Sequence, residues 1–522
     1  MIPDKDFILY FGASEGQFGA SLVTSKQKTQ DGFFALFLAP KHEISEEEVI
    51  PKDLVFVVDT SGSMKEPAAK PWKIDQAKGA LRFCINSLGP KDRFNIISFS
   101  TGTRTFRNAL QPVNNDTRTE AAGFIDSLEA RGGTNIHEAL EVMLALQNAD
   151  ATRPFIVVFL TDGQPTVGEL QSAEELVALV GKKAGPNTRF FSFGVGYDVN
   201  THLLDKLAIT NRGDRVYVSP EENIELKVSG FYDKIASPVL SDLSVQIDSI
   251  ETYDLVPVQV PDLFRGSQLV LYGRYKGEGH SAIRVKGTIQ GKPAEFVYES
   301  AFPAISIGHA HIPRLWALTK IGYLLDQLRL KGFDVSSGYK PSGPERELVD
   351  EIVALATEYG VVTPYTAMLV LEDTKYHGPG ALSPAGLRMV DAKKSSDFSH
   401  GVNEAMEALG GTSGKGAFDA SRAARQLQAG VPMAGDKEED AVSKALNTAK
   451  TFKQVEDKTF ILVDGTWYDS TYKQERKMTE IVFLSDAYFT LIEEKPELAR
   501  YLSAGARVVV CLENTVYAII QG

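Results

Sequence analysis

Between Lys52 and about Ser237 the chain alternates between short runs that are apolar at every position and longer stretches whose apolar residues recur at helical spacing. Leu54-Val55-Phe56-Val57-Val58 and segments 93–99, 155–161, 189–195 and 215–218 have the character of strands covered on both faces. Segments 73–88, 117–129, 135–147, 172–184, 201–209 and 221–236 carry the helical period between them. This alternation predicts an α/β fold, a doubly wound and mainly parallel sheet with helices on both faces. Ligands of such sheets sit beyond the C-terminal ends of the strands, at the topological switch point.

The flanks follow a different rhythm. Phe7-Ile8-Leu9-Tyr10 and Phe33-Phe34-Ala35-Leu36-Phe37-Leu38 precede the α/β unit, and Leu243-Ser244-Val245-Gln246-Ile247 and Leu269-Val270-Leu271-Tyr272 follow it. Neither flank has enough strands to close a core, so 1–50 and 238–304 are expected to fold together as one β-sandwich with the α/β unit, 51–237, inserted in it. Helical spacing over Arg314 to Leu325 and Glu347 to Ala356 predicts a helical segment within 305–373. The shift to Gly, Ser, Ala and Lys over 374–430 predicts a linker with short helices. Strand patterns on either side of Asp464-Gly465, and a second strand-turn-strand over 506–520, predict a small α+β module at 431–522.

The candidate chemistry lies where the first buried strand ends, at Asp59-Thr60-Ser61-Gly62-Ser63-Met64. There one carboxylate and two hydroxyls converge on a tight loop. Two distant segments could complete a cage: Arg131-Gly132-Gly133-Thr134-Asn135, a glycine turn opening a helix, and Thr161-Asp162-Gly163, which ends a second buried strand. Donors of oxygen only suit Mg²⁺, Mn²⁺ or Ca²⁺ and suit zinc or copper poorly.

These three segments resemble the von Willebrand factor A (VWA) family, whose metal-ion-dependent adhesion site is Asp-x-Ser-x-Ser, then a Thr, then an Asp; Asp59, Ser61, Ser63, Thr134 and Asp162 stand at those positions. The resemblance implies that Ser61 and Ser63 touch the metal directly. Thr134, Asp59 and Asp162 would do so directly or through water. It also implies an open position that an acidic side chain of a partner completes. A narrower resemblance, to the inter-alpha-trypsin inhibitor heavy chains and bacterial relatives that join a VIT domain to a VWA domain, covers about 5–372. Phe33 to Pro40, Pro51 to Met64, Arg93 to Ser100, Leu315 to Asp326 and Tyr359 to Leu369 carry it. It implies an integrin hybrid-like sandwich and a secreted, periplasmic or cell-surface setting. The VIT domain expected upstream is missing, so the expectation is either a chain trimmed at Met1 or a shortened family member, of bacterial type. The heavy-chain Asp-Pro-His segment, the site of chondroitin sulfate coupling, does not occur, so that chemistry does not carry over.

Composition narrows the function classes. A net charge of −13 over 522 residues disfavours nonspecific nucleic-acid binding. No apolar run is long enough to span a membrane, and Met1 to Asp6 lacks signal-peptide character. Cys84 and Cys511, the only cysteines, read as small buried hydrophobes. The glycine run 410–416 lacks P-loop spacing, and His309 and His311 have no third ligand nearby. No Gly-x-Ser-x-Gly elbow or His-Glu-x-x-His helix occurs, and Ser61 replaces the second carboxylate of a phosphotransferase Asp-x-Asp. The expectation is a non-enzymatic protein that uses Mg²⁺, or Ca²⁺ or Mn²⁺, to capture an Asp or Glu of a protein or extracellular-matrix ligand. The alternatives are a carboxylate of the same chain or of a sister subunit at the same site and, further off, a Mg²⁺-dependent hydrolase. Oligomeric state is left open.

Overall fold

The computed structural model describes residues 18–28, 30–41, 49–65, 72–147, 153–331, 343–361, 363 and 409–430, and most of 452–520 apart from short connecting segments. Two compact units divide the chain, Met1–Ile307 and Gly308–Gly522.

In the first unit, strands β1 (Phe18–Ser25) and β2 (Gly32–Pro40) come from the N-terminal flank. A seven-stranded sheet follows. It contains β3 (Asp53–Asp59), β4 (Arg93–Phe99), the short β5 (Thr103–Thr105) and β6 (Gln111–Pro112), β7 (Phe155–Thr161), β8 (Thr188–Val195) and β9 (Arg215–Val218). The order is β5-β4-β3-β7-β8-β9, with β6 also on β4, and β4, β3, β7, β8 and β9 run parallel. From β3 the chain goes to β4 on one side and later returns to β7 on the other, so the switch point lies between β3 and β7. The antiparallel pairing of β5 and β6 with β4 is an addition to the sequence expectation. Runs of three and two residues are too short for a period to show.

Helices α1 (Lys73–Asn86), α2 (Asn115–Asp126), α3 (Ile136–Ala145), α4 (Ala173–Lys183), α5 (Thr201–Thr210) and α6 (Ile224–Ile235) flank this sheet. Five begin where a short polar side chain, Asn114, Asn135, Ser172, Asn200 or Asn223, accepts a hydrogen bond from a backbone N–H of the first turn. Each such cap contributes about 1 kcal/mol. Leu54, Phe56 and Val58 of β3 point into one core with α1, α2 and α6, while α3 and α5 pack on the other face. Every residue of β3 is buried, which is why 54–58 is apolar without alternation between Asp53 and the terminal Asp59.

Strands β10 (Pro238–Ile247), β11 (Glu251–Val256), β12 (Leu263–Phe264), β13 (Leu269–Lys276), β14 (Gly279–Ile289) and β15 (Lys292–Phe302) build the sandwich with β1 and β2. One sheet has the order β1-β2-β13-β11 and the other β12-β10-β14-β15. The antiparallel ladder from β2 to β13, with Leu36 opposite Leu271, joins residues on either side of the α/β unit, which is thereby inserted in the sandwich. Phe34, Leu36, Leu38, Leu243, Leu271, Ile283, Val285 and Phe302 form one core between the sheets. The strand expected at Phe7 to Tyr10 lies outside the described residues.

The second unit contains α7 (Ile312–Lys331), α8 (Pro344–Tyr359) and α9 (Gly414–Gln428). Helix α9 falls where a linker with short helices was expected; it has fifteen residues and buries Phe418, Ala420, Ala424 and Leu427. It crosses α7 at Gly322, where a Cβ would stand 2.7 Å from the Gln428 backbone N, so small residues set the approach. A six-stranded mixed sheet ends the chain. It includes the antiparallel pairs 458–463 with 466–469 and 508–512 with 515–520, which match the two hairpin patterns of the sequence. Cys84 and Cys511 are free and buried.

Candidate metal centre

Three loops meet at the C-terminal ends of β3 and β7. After β3, the Thr60 N–H donates to Phe99 O (2.7 Å) and the Gly62 N–H to Gly132 O (3.0 Å), while the Arg131 N–H donates to Thr60 O (2.8 Å). The loop ahead of α3 is thus laced to the loop after β3. Gly132 has φ +81°, and a Cβ there would lie 2.5 Å from Thr101 Oγ1, so the turn needs glycine. The third loop is tied in by a reciprocal pair: the Thr134 N–H donates to Thr166 Oγ1 (2.8 Å) and the Thr166 N–H to Thr134 O (3.0 Å).

Four of the five residues singled out from the sequence form one hydrogen-bonded chain. Asp59 Oδ1 accepts from the Ser61 N–H at 2.7 Å, and the Ser61 and Ser63 hydroxyls are 3.0 Å apart. Ser63 Oγ donates to Asp162 Oδ1 at 2.7 Å. Thr134, the fifth, is buried, and its Oγ1 lies 3.7 Å from where a Cβ of Gly163 would stand, beside Asp162. Both carboxylates are buried, Asp59 at 0% and Asp162 at 1% exposure.

Two further residues belong to the cluster and carried no signal in the sequence reading. Thr161 Oγ1 donates to Asp59 Oδ2 at 2.5 Å, and Lys73 Nζ donates to Asp162 Oδ2 at 2.7 Å. Thr161 passes for one more β-branched position of a buried strand. Lys73 opens a helix 89 residues before its partner.

Among the described residues the donors to Asp59, Thr161 and Ser61, are neutral. Burial, followed by repulsion from Asp162, pushes its carboxyl up to about 6. A buried carboxylate in that position is short of positive charge, which a divalent cation would supply. The donor set fits one. Two oxygens in adjacent positions on an octahedral ion at about 2.1 Å stand about 3.0 Å apart, the spacing of the two serine hydroxyls. Among the described residues no cluster of three or more His, Cys, Asp or Glu side chains could hold a metal ion. A cation held here would need hydroxyl donors beside the two carboxylates.

Residues 52–216 match the family model of the von Willebrand factor type A domain. With the doubly wound sheet and its three laced loops, residues 52–216 thus resemble a VWA domain, and VWA domains often mediate metal-dependent protein interactions. Among such proteins, the chain is related to the inter-alpha-trypsin inhibitor heavy chains. It is 28% identical to human heavy chain H4 over 386 residues, 70% of this chain and 39% of that protein. It is 28% identical to pig heavy chain H2 over 361 residues, 65% of this chain and 36% of that protein. The chain therefore spans less than two-fifths of the length of these relatives. A von Willebrand factor type A structure from Catenulispora acidiphila is similar at 15% identity and a TM-score of 0.47, covering 74% of this chain and 97% of that one.

Proposed function

We propose that the loop end of the VWA sheet binds Mg²⁺ and, through it, an Asp or Glu side chain of a protein partner, without catalysing a reaction on it. The observation that carries this reading is the pair of buried carboxylates, Asp59 and Asp162, joined through the Ser61 and Ser63 hydroxyls with only neutral donors on Asp59. An all-oxygen donor set of two carboxylates and three hydroxyls suits a hard cation, Mg²⁺, Mn²⁺ or Ca²⁺. Ser61, Ser63 and Thr134 are neutral, so a bound cation keeps charge to offer an incoming carboxylate.

Surface plasmon resonance of the full chain over immobilised Asp- and Glu-containing peptides tests this, with the amidated Asn and Gln peptides as controls. The expected result is retention of the acidic peptides in Mg²⁺ only, abolished by Asp59→Ala with the far-UV circular dichroism unchanged. Equal retention in EDTA, or in the variant, would contradict it.

A further inference from the structure

We infer that Lys73 is a tethered competitor of the metal: its ammonium pairs with Asp162 and must release it, or share it at a cost, when a divalent cation binds. The inference rests on the metal-binding reading above and concerns how tightly that site loads.

Three observations place Lys73 in this role. Its Nζ is 2.7 Å from Asp162 Oδ2, on the same carboxylate whose Oδ1 accepts from Ser63. A cation bridging Ser63 and Asp162 would thus share that carboxylate with the ammonium, and two like charges on one buried group repel strongly. The Lys73 side chain is 25% exposed while Asp162 is fully buried, so the amine has a path to water that the carboxylate lacks. The amine also reaches the loop after β8, lying 3.7 Å from where a Cβ of Gly196 would stand.

The position of this lysine in its helix adds an independent argument. Lys73 is the first residue of α1, and Trp72 before it makes no side-chain cap. Unpaired N–H groups give a helix N-terminus partial positive charge, where a cation is disfavoured and an acid favoured. Helix stability therefore argues against a lysine here. The contact with Asp162 offsets that cost, so the residue serves the site as well as the helix. A site built this way stays folded without metal and loads at higher free Mg²⁺ than its donors alone would require.

The test compares the full chain with Lys73→Met and Lys73→Arg by titrating Mg²⁺ calorimetrically and recording Tm with and without the ion. Lys73→Met is expected to bind Mg²⁺ about tenfold more tightly, because the competitor is gone. Its metal-free Tm should fall while its Mg²⁺-saturated Tm does not, since only the metal-free state depends on the ion pair. Lys73→Arg keeps the cation and should stay within about threefold of the wild type. Equal or weaker Mg²⁺ binding by Lys73→Met overturns the inference and leaves the metal site standing. No Mg²⁺ binding by any form, with no Tm response to the ion, overturns both.

Discussion

At the end of the VWA sheet where the strands begin, buried carboxylates are clasped by resident cations. Asp53 accepts from Arg93 Nε and Nη2 at 2.8 and 2.6 Å and from Arg153 Nε at 3.1 Å. Asp92 pairs with Lys52 at 2.5 Å, and Asp262 with Arg189 at 2.6 Å. At the opposite end, where the same strands finish, among the described residues Asp59 has neutral donors alone and Asp162 a single lysine. Both ends take carboxylates out of water, and in both the cost must be offset locally. One end does so with side chains and has no need of an ion. The other leaves a charge deficit in the place where α/β sheets bind their ligands. The contrast separates a structural cluster of acids from a candidate metal site more sharply than counting acidic residues does.

The comparison makes predictions that can be broken at either end. The largest effect belongs to the self-sufficient end. Arg189 donates to Asp262 and also to Asp242 at 2.8 Å, joining β8 to the sandwich. Arg189→Met strands the buried Asp262 carboxylate and should cost about 3–5 kcal/mol in urea unfolding. Mg²⁺ affinity should meanwhile stay within about twofold; a large loss of metal binding in this variant would mean that the two ends are coupled.

A smaller effect is expected from pH at the deficient end. The Asp59 carboxyl sits at about 6, above its value of 3.8 in an unfolded chain. The sign follows from the raised value: the folded state binds this proton more tightly, so its contribution to metal-free stability is full below pH 3.8 and lost as pH rises through 6. Protons and metal compete for the same group, so Mg²⁺ affinity should fall about tenfold between pH 7 and pH 5. The rise in Tm caused by Mg²⁺ should shrink in step. A pH-independent Mg²⁺ affinity over that interval would remove Asp59 from the site.

What the sequence made legible, and what it hid, follows the range of the interactions. The strand ending at Asp59 could be read because every position of 53–59 is buried, leaving an apolar run with an abrupt polar end. The Asp-x-Ser-x-Ser spacing survives in one loop, so Asp59, Ser61 and Ser63 announce themselves together. Thr134 and Asp162 could be added because each follows a local signal, a glycine turn and a second buried strand. Lys73 and Thr161 gave none, since their roles depend on partners 89 and 102 residues away. The Arg189 cluster was hidden for the same reason, spanning 73 residues to Asp262. Helix α9 was masked by its composition: the alanines and glycines that suggest a linker are also the small side chains that a close helix crossing at Gly322 requires.

The most direct test is calorimetric titration of Mg²⁺ into the metal-stripped full chain, beside Asp59→Ala. Saturable binding of one ion per chain, absent from the variant, is the predicted result. No binding at millimolar Mg²⁺, or the same binding in both proteins, would contradict the claim that the carboxylate deficit at this end of the sheet is a metal site.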